Sequence, residues 1–164
     1  MNRAFVWCAF LLCSSVSSTV AYAQLQAGSI ITFKTKSSER CIGVDGAGVE
    51  DGKQIGAFPC GDDKAPNQRW RVERRGDGFR FRNVKSKKCI GVDNASTEPN
   101  ENILQFPCDG SANQTWKPRG QNKLVKLHNA KSDLCLGIPH AELMAKQLAC
   151  NAGLTIQEWR IVIR

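Results

Sequence analysis

Two histidines, His128 and His140, one tyrosine and two methionines are all that 164 residues contain of those types. An enzyme's centre asks for a nucleophile beside a base, paired carboxylates in a cleft, or a set of metal ligands. No such spacing of His, Cys and carboxylate is present, so neither catalysis nor a bound metal or cofactor is expected. Long apolar runs are equally scarce. The one stretch, Ala4 to Leu12, is followed at once by Ser14, Ser15, Ser17, Ser18 and Thr19. It is too brief for the roughly 20 residues that a spanning helix needs, which argues against a membrane span. Acidic residues are in the minority, 15 against 23 basic, for a net charge of +8. That balance favours anionic partners, yet no nucleic-acid recognition motif accompanies it, and nucleic acid is not an expected partner.

What the chain does have begins with an export signal. Arg3 supplies the positive start, Ala4 to Leu12 the apolar stretch, and Ala21-Tyr22-Ala23 a small-residue cleavage site before Gln24. Residues 1–23 are therefore expected to be removed, leaving a secreted product, extracellular or periplasmic, of residues 24–164. Loss of Arg3 leaves 22 basic residues against 15 acidic, a mature charge of +7. Cys8 and Cys13 leave with the signal, and Cys41, Cys60, Cys89, Cys108, Cys135 and Cys150 stay. An even set in an exported chain reads as disulfides.

The mature part repeats itself three times. Cys41-Ile42-Gly43-Val44-Asp45, Cys89-Ile90-Gly91-Val92-Asp93 and Cys135-Leu136-Gly137-Ile138-Pro139 align, each followed by a second cysteine and then by Gln68-Arg69-Trp70, Gln114-Thr115-Trp116 or Gln157-Glu158-Trp159. Ile31 and Phe33, Phe79 and Phe81, and Val125 and Leu127 precede the first cysteines by ten and eight places. Six landmarks in constant order divide the chain into lobes at about 30–75, 76–121 and 122–164. Within each lobe apolar residues alternate, as in Ile42/Val44 and Trp159/Ile161/Ile163, with Gly, Asn and Asp clusters between them, the pattern of short half-buried strands and turns. The exception is Ala141 to Leu148, whose spacing predicts a variant loop with one helical turn. A unit of about 45 residues cannot bury its own apolar face, so the three must share one core.

A tripled Cys-hydrophobic-x-hydrophobic strand, second cysteine and Gln-x-Trp resembles the ricin B-type lectin family. The resemblance implies an all-β fold, a β-trefoil with its tryptophans in the core, and one local disulfide per lobe: Cys41–Cys60, Cys89–Cys108 and Cys135–Cys150. Each bridge would close a loop of about 15 to 20 residues, which a chain-entropy account values at roughly 3 kcal/mol.

The same resemblance implies carbohydrate binding, with departures. The family's sugar-binding aspartate, two residues after the first cysteine, is replaced by Gly43, Gly91 and Gly137. Asp45 and Asp93 keep the same face if the strand continues; they either substitute as acceptors or shape the turns that follow. Phe58 and Phe106 stand where family members stack a sugar ring, and Leu148 breaks the series in lobe three. Asn67-Gln68 and Asn113-Gln114 match the family's pair, in which the asparagine contacts sugar and the glutamine braces the lobe; Ile156-Gln157 loses the asparagine. Lobes one and two are thus the candidate sites, for galactose-type sugars on glycoproteins or glycolipids.

The Cys-hydrophobic-Gly-hydrophobic variant is also similar to the cysteine-rich domain of mannose-receptor-like proteins, which implies sulfated or other anionic sugars. Arg69, Arg71, Arg74, Arg75, Lys85, Lys87 and Lys88 are the candidate donors for these, or else form a solvated basic face. Phe79-Arg80-Phe81-Arg82-Asn83-Val84 resembles the cell-binding subunits of cytolethal distending toxins, which implies other toxin subunits as partners. Two sequons, Asn94-Ala95-Ser96 and Asn113-Gln114-Thr115, matter only in a eukaryotic secretory pathway.

Overall fold

The structure, a computed structural model, describes residues 25–36, 39–121, 124–139, 142–151 and 157–164; the signal segment, His140 and Ile156 lie outside them. Among the described residues twelve strands fall four to a lobe. Lobe one holds β1 (Ile30–Thr35), β2 (Cys41–Val44), β3 (Ile55–Phe58) and β4 (Trp70–Arg75). Lobe two holds β5 (Gly78–Asn83), β6 (Cys89–Val92), β7 (Ile103–Phe106) and β8 (Trp116–Gln121). Lobe three holds β9 (Leu124–Asn129), β10 (Cys135–Gly137), β11 (Lys146–Leu148) and β12 (Trp159–Ile163).

The first and last strand of every lobe build a closed antiparallel ring, β1-β4-β5-β8-β9-β12 and back to β1. Closure removes the unpaired edges at which an open sheet would aggregate. The two inner strands of each lobe form the hairpins β2-β3, β6-β7 and β10-β11. These hairpins meet around the threefold axis through matching bridges, Gln54 to Leu104, Asn102 to Lys146 and Met144 to Gly56. This is the β-trefoil.

Alternation decides which side chains enter the shared core. Ile31, Phe33, Ile42, Val44, Trp70 and Val72, with their counterparts in the other lobes apart from Pro118, form one buried cluster. Trp70, Trp116 and Trp159 are 0% exposed. Each indole Nε1–H donates to the carbonyl beside its lobe's first cysteine: Ile42 O at 3.1 Å, Ile90 O at 3.1 Å and Leu136 O at 3.2 Å. A buried donor without such a partner would be destabilising, so the hydrogen bond and the packing together fix the tryptophan against its hairpin. The bridges are Cys41–Cys60, Cys89–Cys108 and Cys135–Cys150.

Ala141 to Leu148 departs from the helical turn expected of it. Its described part ends in strand β11, whose register pairs Cys135 with Leu148 and Gly137 with Lys146. Good helix formers lose here to tertiary pairing, because Cys150 is tied to Cys135 and the hub needs a strand.

Two of the three junctions between hairpins carry the same staple. Gln105, fully buried, donates its amide to Gly48 O (3.3 Å) and Glu50 O (2.8 Å) and accepts from Ser86 Oγ at 2.6 Å. Gln147 repeats this with Ser96 O, Glu98 O and Ser132 Oγ. The third position is Ala57, where the junction of lobe three to lobe one rests on backbone bonds, Ala57 N to Leu143 O (2.8 Å) and Ala145 N to Ile55 O (2.7 Å).

Candidate functional site

The outer face of each inner hairpin is set by register. Cys41 lies opposite Phe58 and Gly43 opposite Gly56, so all four share one face and Ile42 and Ala57 the other. In lobe two the partners are Cys89 with Phe106 and Gly91 with Leu104.

At Gly43 the backbone runs under the 3-10 turn Pro66–Gln68. A Cβ on Gly43 would stand 2.8 Å from Gln68 Cγ and 3.4 Å from Asn67 Nδ2. Gln68 cannot yield easily, because it is held at both ends: Nε2 donates to Pro59 O (2.8 Å) and Oε1 accepts from Gly61 N (2.9 Å). Gln114 makes the corresponding bonds to Pro107 O and Asp109 N, and Gln157 donates to Ala149 O. The glutamines brace the loop around the second cysteine. The family's aspartate is thus replaced by a glycine that lets the brace come close.

Asp45 and Asp93 do not continue the strand. β2 ends at Val44 and β6 at Val92, and each aspartate opens a 3-10 turn, Asp45–Ala47 or Asp93–Ala95. Gly46 and Asn94 take the left-handed backbone that this turn requires, φ 58° and 51°. The condition for Asp45 and Asp93 to share the face of Gly43 and Gly91 therefore fails, though both half-buried carboxylates lack a side-chain partner among the described residues. A lysine of the following lobe closes each turn. Lys85 Nζ donates to Ala47 O at 2.5 Å and Lys131 Nζ to Ala95 O at 2.6 Å. Of the other proposed cation donors, Arg69 is bound to Asp63 O, Arg71 to Gly28 O and Lys87 to Val84 O. Arg74 lies over Phe79, and Lys88 pairs with Asp51.

Lobes one and two differ in how open this face is. Asn67 is half-buried; its Nδ2 donates to Val44 O at 3.2 Å, and its Oδ1 has no partner among the described residues. Asn113 is only 8% exposed and engaged at both ends: Nδ2 donates to Val92 O at 3.3 Å, and Oδ1 lies 2.5 Å from Ser111 Oγ. Ser111 Oγ also reaches Asp109 Oδ1 at 2.7 Å, a hydrogen bond that holds the Asp109 carboxyl below its usual range. Lobe one has Ala65 where lobe two has Ser111, and so lacks the latch. The rings differ too. Phe58 Cζ comes within 3.0 Å of the point where a Cβ on Gly56 would stand, and leaves Gly43 to Gln68 and Asn67. With Leu104 in the place of Gly56, Phe106 leans over Gly91, Cδ2 at 3.2 Å from its would-be Cβ. Burial of Asn113 also withdraws its sequon, whereas Asn94 is exposed.

The lobe-three face carries Leu148 and Lys146. Its distinctive feature, invisible to linear spacing, is His128, which lies opposite Cys135 in the strand pairing, where lobes one and two have Lys34 and Arg82. His128 Nδ1 is 3.5 Å from Cys150 Sγ and 3.3 Å from Asp133 Oδ1. Burial, then the Arg119 guanidinium, pushes its pKa below 6.5, against the pull of Asp133. His128, Cys135 and Cys150 offer ligand atoms within 4.8 Å of one another, but both sulfurs are joined in the bridge and are not the thiolates a soft metal requires. These residues do not fit a metal centre. No helix among the described residues is long and apolar enough to cross a membrane.

A threefold barrel capped by hairpins, with an aromatic and an amide on the outer face of each of two lobes, defines a β-trefoil of the lectin class. The chain belongs to the ricin-type beta-trefoil lectin domain-like family, whose profile matches residues 66–147. No curated protein sequence matches it. Among solved structures it resembles the designed threefold-symmetric protein ThreeFoil, with 26% identity and a TM-score of 0.76 over 81% of this chain and 97% of that one. It also resembles the Polyporus squamosus lectin, solved with a Neu5Ac-Gal-GlcNAc epitope, at 14% identity and TM-score 0.72 over 83% of this chain and 49% of that one. The hemolytic lectin CEL-III matches at 19% identity and TM-score 0.69 over 82% of this chain and 30% of that one. The chain spans less than half of these two larger proteins, and at such identities the likeness to them is one of fold.

Proposed function

We propose that the chain is an exported, non-catalytic lectin that binds glycans at shallow sites on the outer faces of its inner hairpins, with lobe one the principal site and lobe two secondary. The observation that carries this reading is the pairing, in lobe one, of a half-buried aromatic, Phe58, with an amide whose acceptor is unspent, Asn67 Oδ1. An aromatic face supplies apolar contact to one side of a sugar ring, and a fixed acceptor beside it sets the ring's orientation. The family of the chain supports the same class of ligand. A broad glycan array probed at high density with the mature, fully bridged protein tests this; no binding to any glycan refutes it. Repeating positive spots at raised salt separates neutral from anionic sugars, since only the latter should fade steeply. Export is tested by sequencing the N-terminus of protein recovered outside the cell, which should begin at Gln24.

A second reading, the receptor-binding subunit of a multi-part toxin, is favoured by the latched state of lobe two and by the likeness to part of a hemolytic lectin. It predicts that array binding is absent until a partner subunit is added.

A further inference from the structure

The net positive charge of residues 24–164 sits in one stretch. Residues 69–88 hold nine of the 22 basic and two of the 15 acidic residues. The remaining 13 basic and 13 acidic residues cancel, so β4, β5 and the turn towards β6 account for the whole charge of +7.

Register gathers much of that charge on one face. β4 and β5 pair Arg71 with Arg82, Glu73 with Arg80 and Arg75 with Gly78, alternating with pairs such as Val72 and Phe81 that enter the core. Arg69, extended at φ −108° and ψ 138°, continues the outer row. The outer face of the β4-β5 ribbon therefore presents Arg69, Arg71, Arg75, Arg80 and Arg82 around one carboxylate, Glu73. Arg80 takes that carboxylate, donating to Oε2 from Nε at 3.0 Å and from its terminal nitrogen at 2.5 Å. Arg82 Nε lies 2.9 Å from Oε1 without the alignment of a hydrogen bond, and Arg69 Nε is buried with no acceptor. Arg69 and Arg71 donate to backbone carbonyls, Asp63 O and Gly28 O, which aim a guanidinium without neutralising it. Like charges directly opposed in a sheet are destabilising, and Arg71 with Arg82 is such a pair.

The two related ribbons of the barrel are balanced. On β12-β1, Lys36 pairs with Glu158, and Lys34 and Arg160 pair with Glu39. On β8-β9, Lys117 pairs with Asp77 and Arg119 with Asp133. The imbalance of β4-β5 is thus no requirement of the fold.

We propose that the outer face of β4-β5 binds a sulfated polysaccharide lying along the ribbon. Successive outward residues of a strand stand about 6.6 Å apart and opposed ones about 5 Å, so the arginines offer a ladder of planar forks to successive oxyanions of one chain. Other polyanions match the face less well. Trp70, Phe79 and Phe81 are buried, which leaves the ribbon no aromatic platform for the bases of a single-stranded nucleic acid. The exposed large hydrophobic residues among those described, Val49, Leu143 and Ile163, lie elsewhere, which leaves it no apolar anchor for a lipid surface. The site is separate from the hairpin faces and shares with the proposed function only the export of the chain.

Calorimetric titration of the folded protein with a short heparin oligosaccharide, at physiological ionic strength, tests this, with single-stranded DNA and phosphatidylserine vesicles as rivals. Heparin should bind more tightly than either and should fade as salt is raised. Arg71→Gln with Arg82→Gln should weaken heparin binding about tenfold without lowering the urea midpoint, because it relieves an opposed pair. Lys117→Gln with Arg119→Gln removes the same charge from a balanced ribbon and should leave affinity within about twofold. Arg75→Gln, at an exposed position away from the Arg71–Arg82 pair, should weaken binding about threefold. Asn67→Ala should leave heparin binding unchanged. Absence of heparin binding, equal weakening by the two double variants, an unaltered affinity in Arg75→Gln, or tighter binding of DNA or vesicles each overturns the site. The lectin reading would survive any of these, since it is decided by the array and by Asn67.

Discussion

Asn67 and Asn113 occupy one position in two lobes, and the structure assigns them different work, which a pair of alanine substitutions separates. Asn113 is 8% exposed, donates to Val92 O and accepts from Ser111. Asn113→Ala strands a buried carbonyl, Val92 O, while the Ser111 hydroxyl keeps Asp109 Oδ1, and about 1 to 3 kcal/mol of stability should be lost. With a urea m-value of about 1 to 3 kcal/mol/M for a domain of this size, the midpoint should fall by roughly 0.5 to 1.5 M at unchanged m. Asn67 is half-buried and makes one bond, to Val44 O, so water can replace its donor and Asn67→Ala should lower stability by about 0.5 to 1 kcal/mol. Binding should show the reverse order. Loss of the Oδ1 acceptor from the lobe-one site removes about 1 kcal/mol, a roughly fivefold weakening for a monovalent sugar, whereas Asn113→Ala should leave affinity within about twofold. Unfolding followed by fluorescence and titration by NMR on the same preparations give both numbers. Equal weakening of binding by the two variants, at equal stability, would refute the distinction between an open and a latched lobe.

Trp116→Ala removes a side chain with no exposure and an indole bond to Ile90 O, and should destabilise by about 3 to 5 kcal/mol; a parent-like melting curve would mean the tryptophans are surface platforms. Peptide mapping without reduction should find only the three local bridges, and Cys89→Ala should lower stability by about 2 to 5 kcal/mol. His128 titrates below 6.5 in the folded state, so between that lowered value and 6.5 the unfolded chain takes up the proton first. Its contribution is complete above 6.5 and is lost as pH falls through that window. Melting temperature should therefore drop more on acidification in the parent than in His128→Gln, and identical pH profiles would count against a buried neutral imidazole.

Much of the scaffold is readable in the linear sequence because three copies of one pattern constrain each other. The alternation around Ile42/Val44, the spacing of cysteines and the Gln-x-Trp triplets each recur where strand, bridge and buried indole are found. Less legible is whatever depends on contacts between lobes. β11, Lys146–Leu148, is hidden in the sequence by the high helix propensity of the residues before it; tertiary pairing instead makes a lone bridge at Met144 and then the strand. The end of β2 at Val44 follows from the turn at Gly46 and its closure by Lys85 from the next lobe. Gly56 looks like any turn-forming glycine until its pairing with Gly43 and the approach of Met144 are known. The latch on Asn113 is a single serine, with Ala65 its counterpart in lobe one.

The missing glutamine at Ala57 has a wider meaning. Two junctions of the hub are bolted by Gln105 and Gln147, and at the third, where the last lobe's hairpin meets the first's, Ala57 supplies no such bolt and the hairpins are joined through Ala57 N to Leu143 O and Ala145 N to Ile55 O. The ring should breathe there first, since regions with fewer fixed contacts open at lower free energy. A sugar held against Phe58, next in sequence to Ala57 on β3, would act as a removable brace beside that joint. Occupancy would then show up as slowed amide exchange at Ala57 and Ala145, and the protein's resistance to heat would rise with the concentration of the glycan around it.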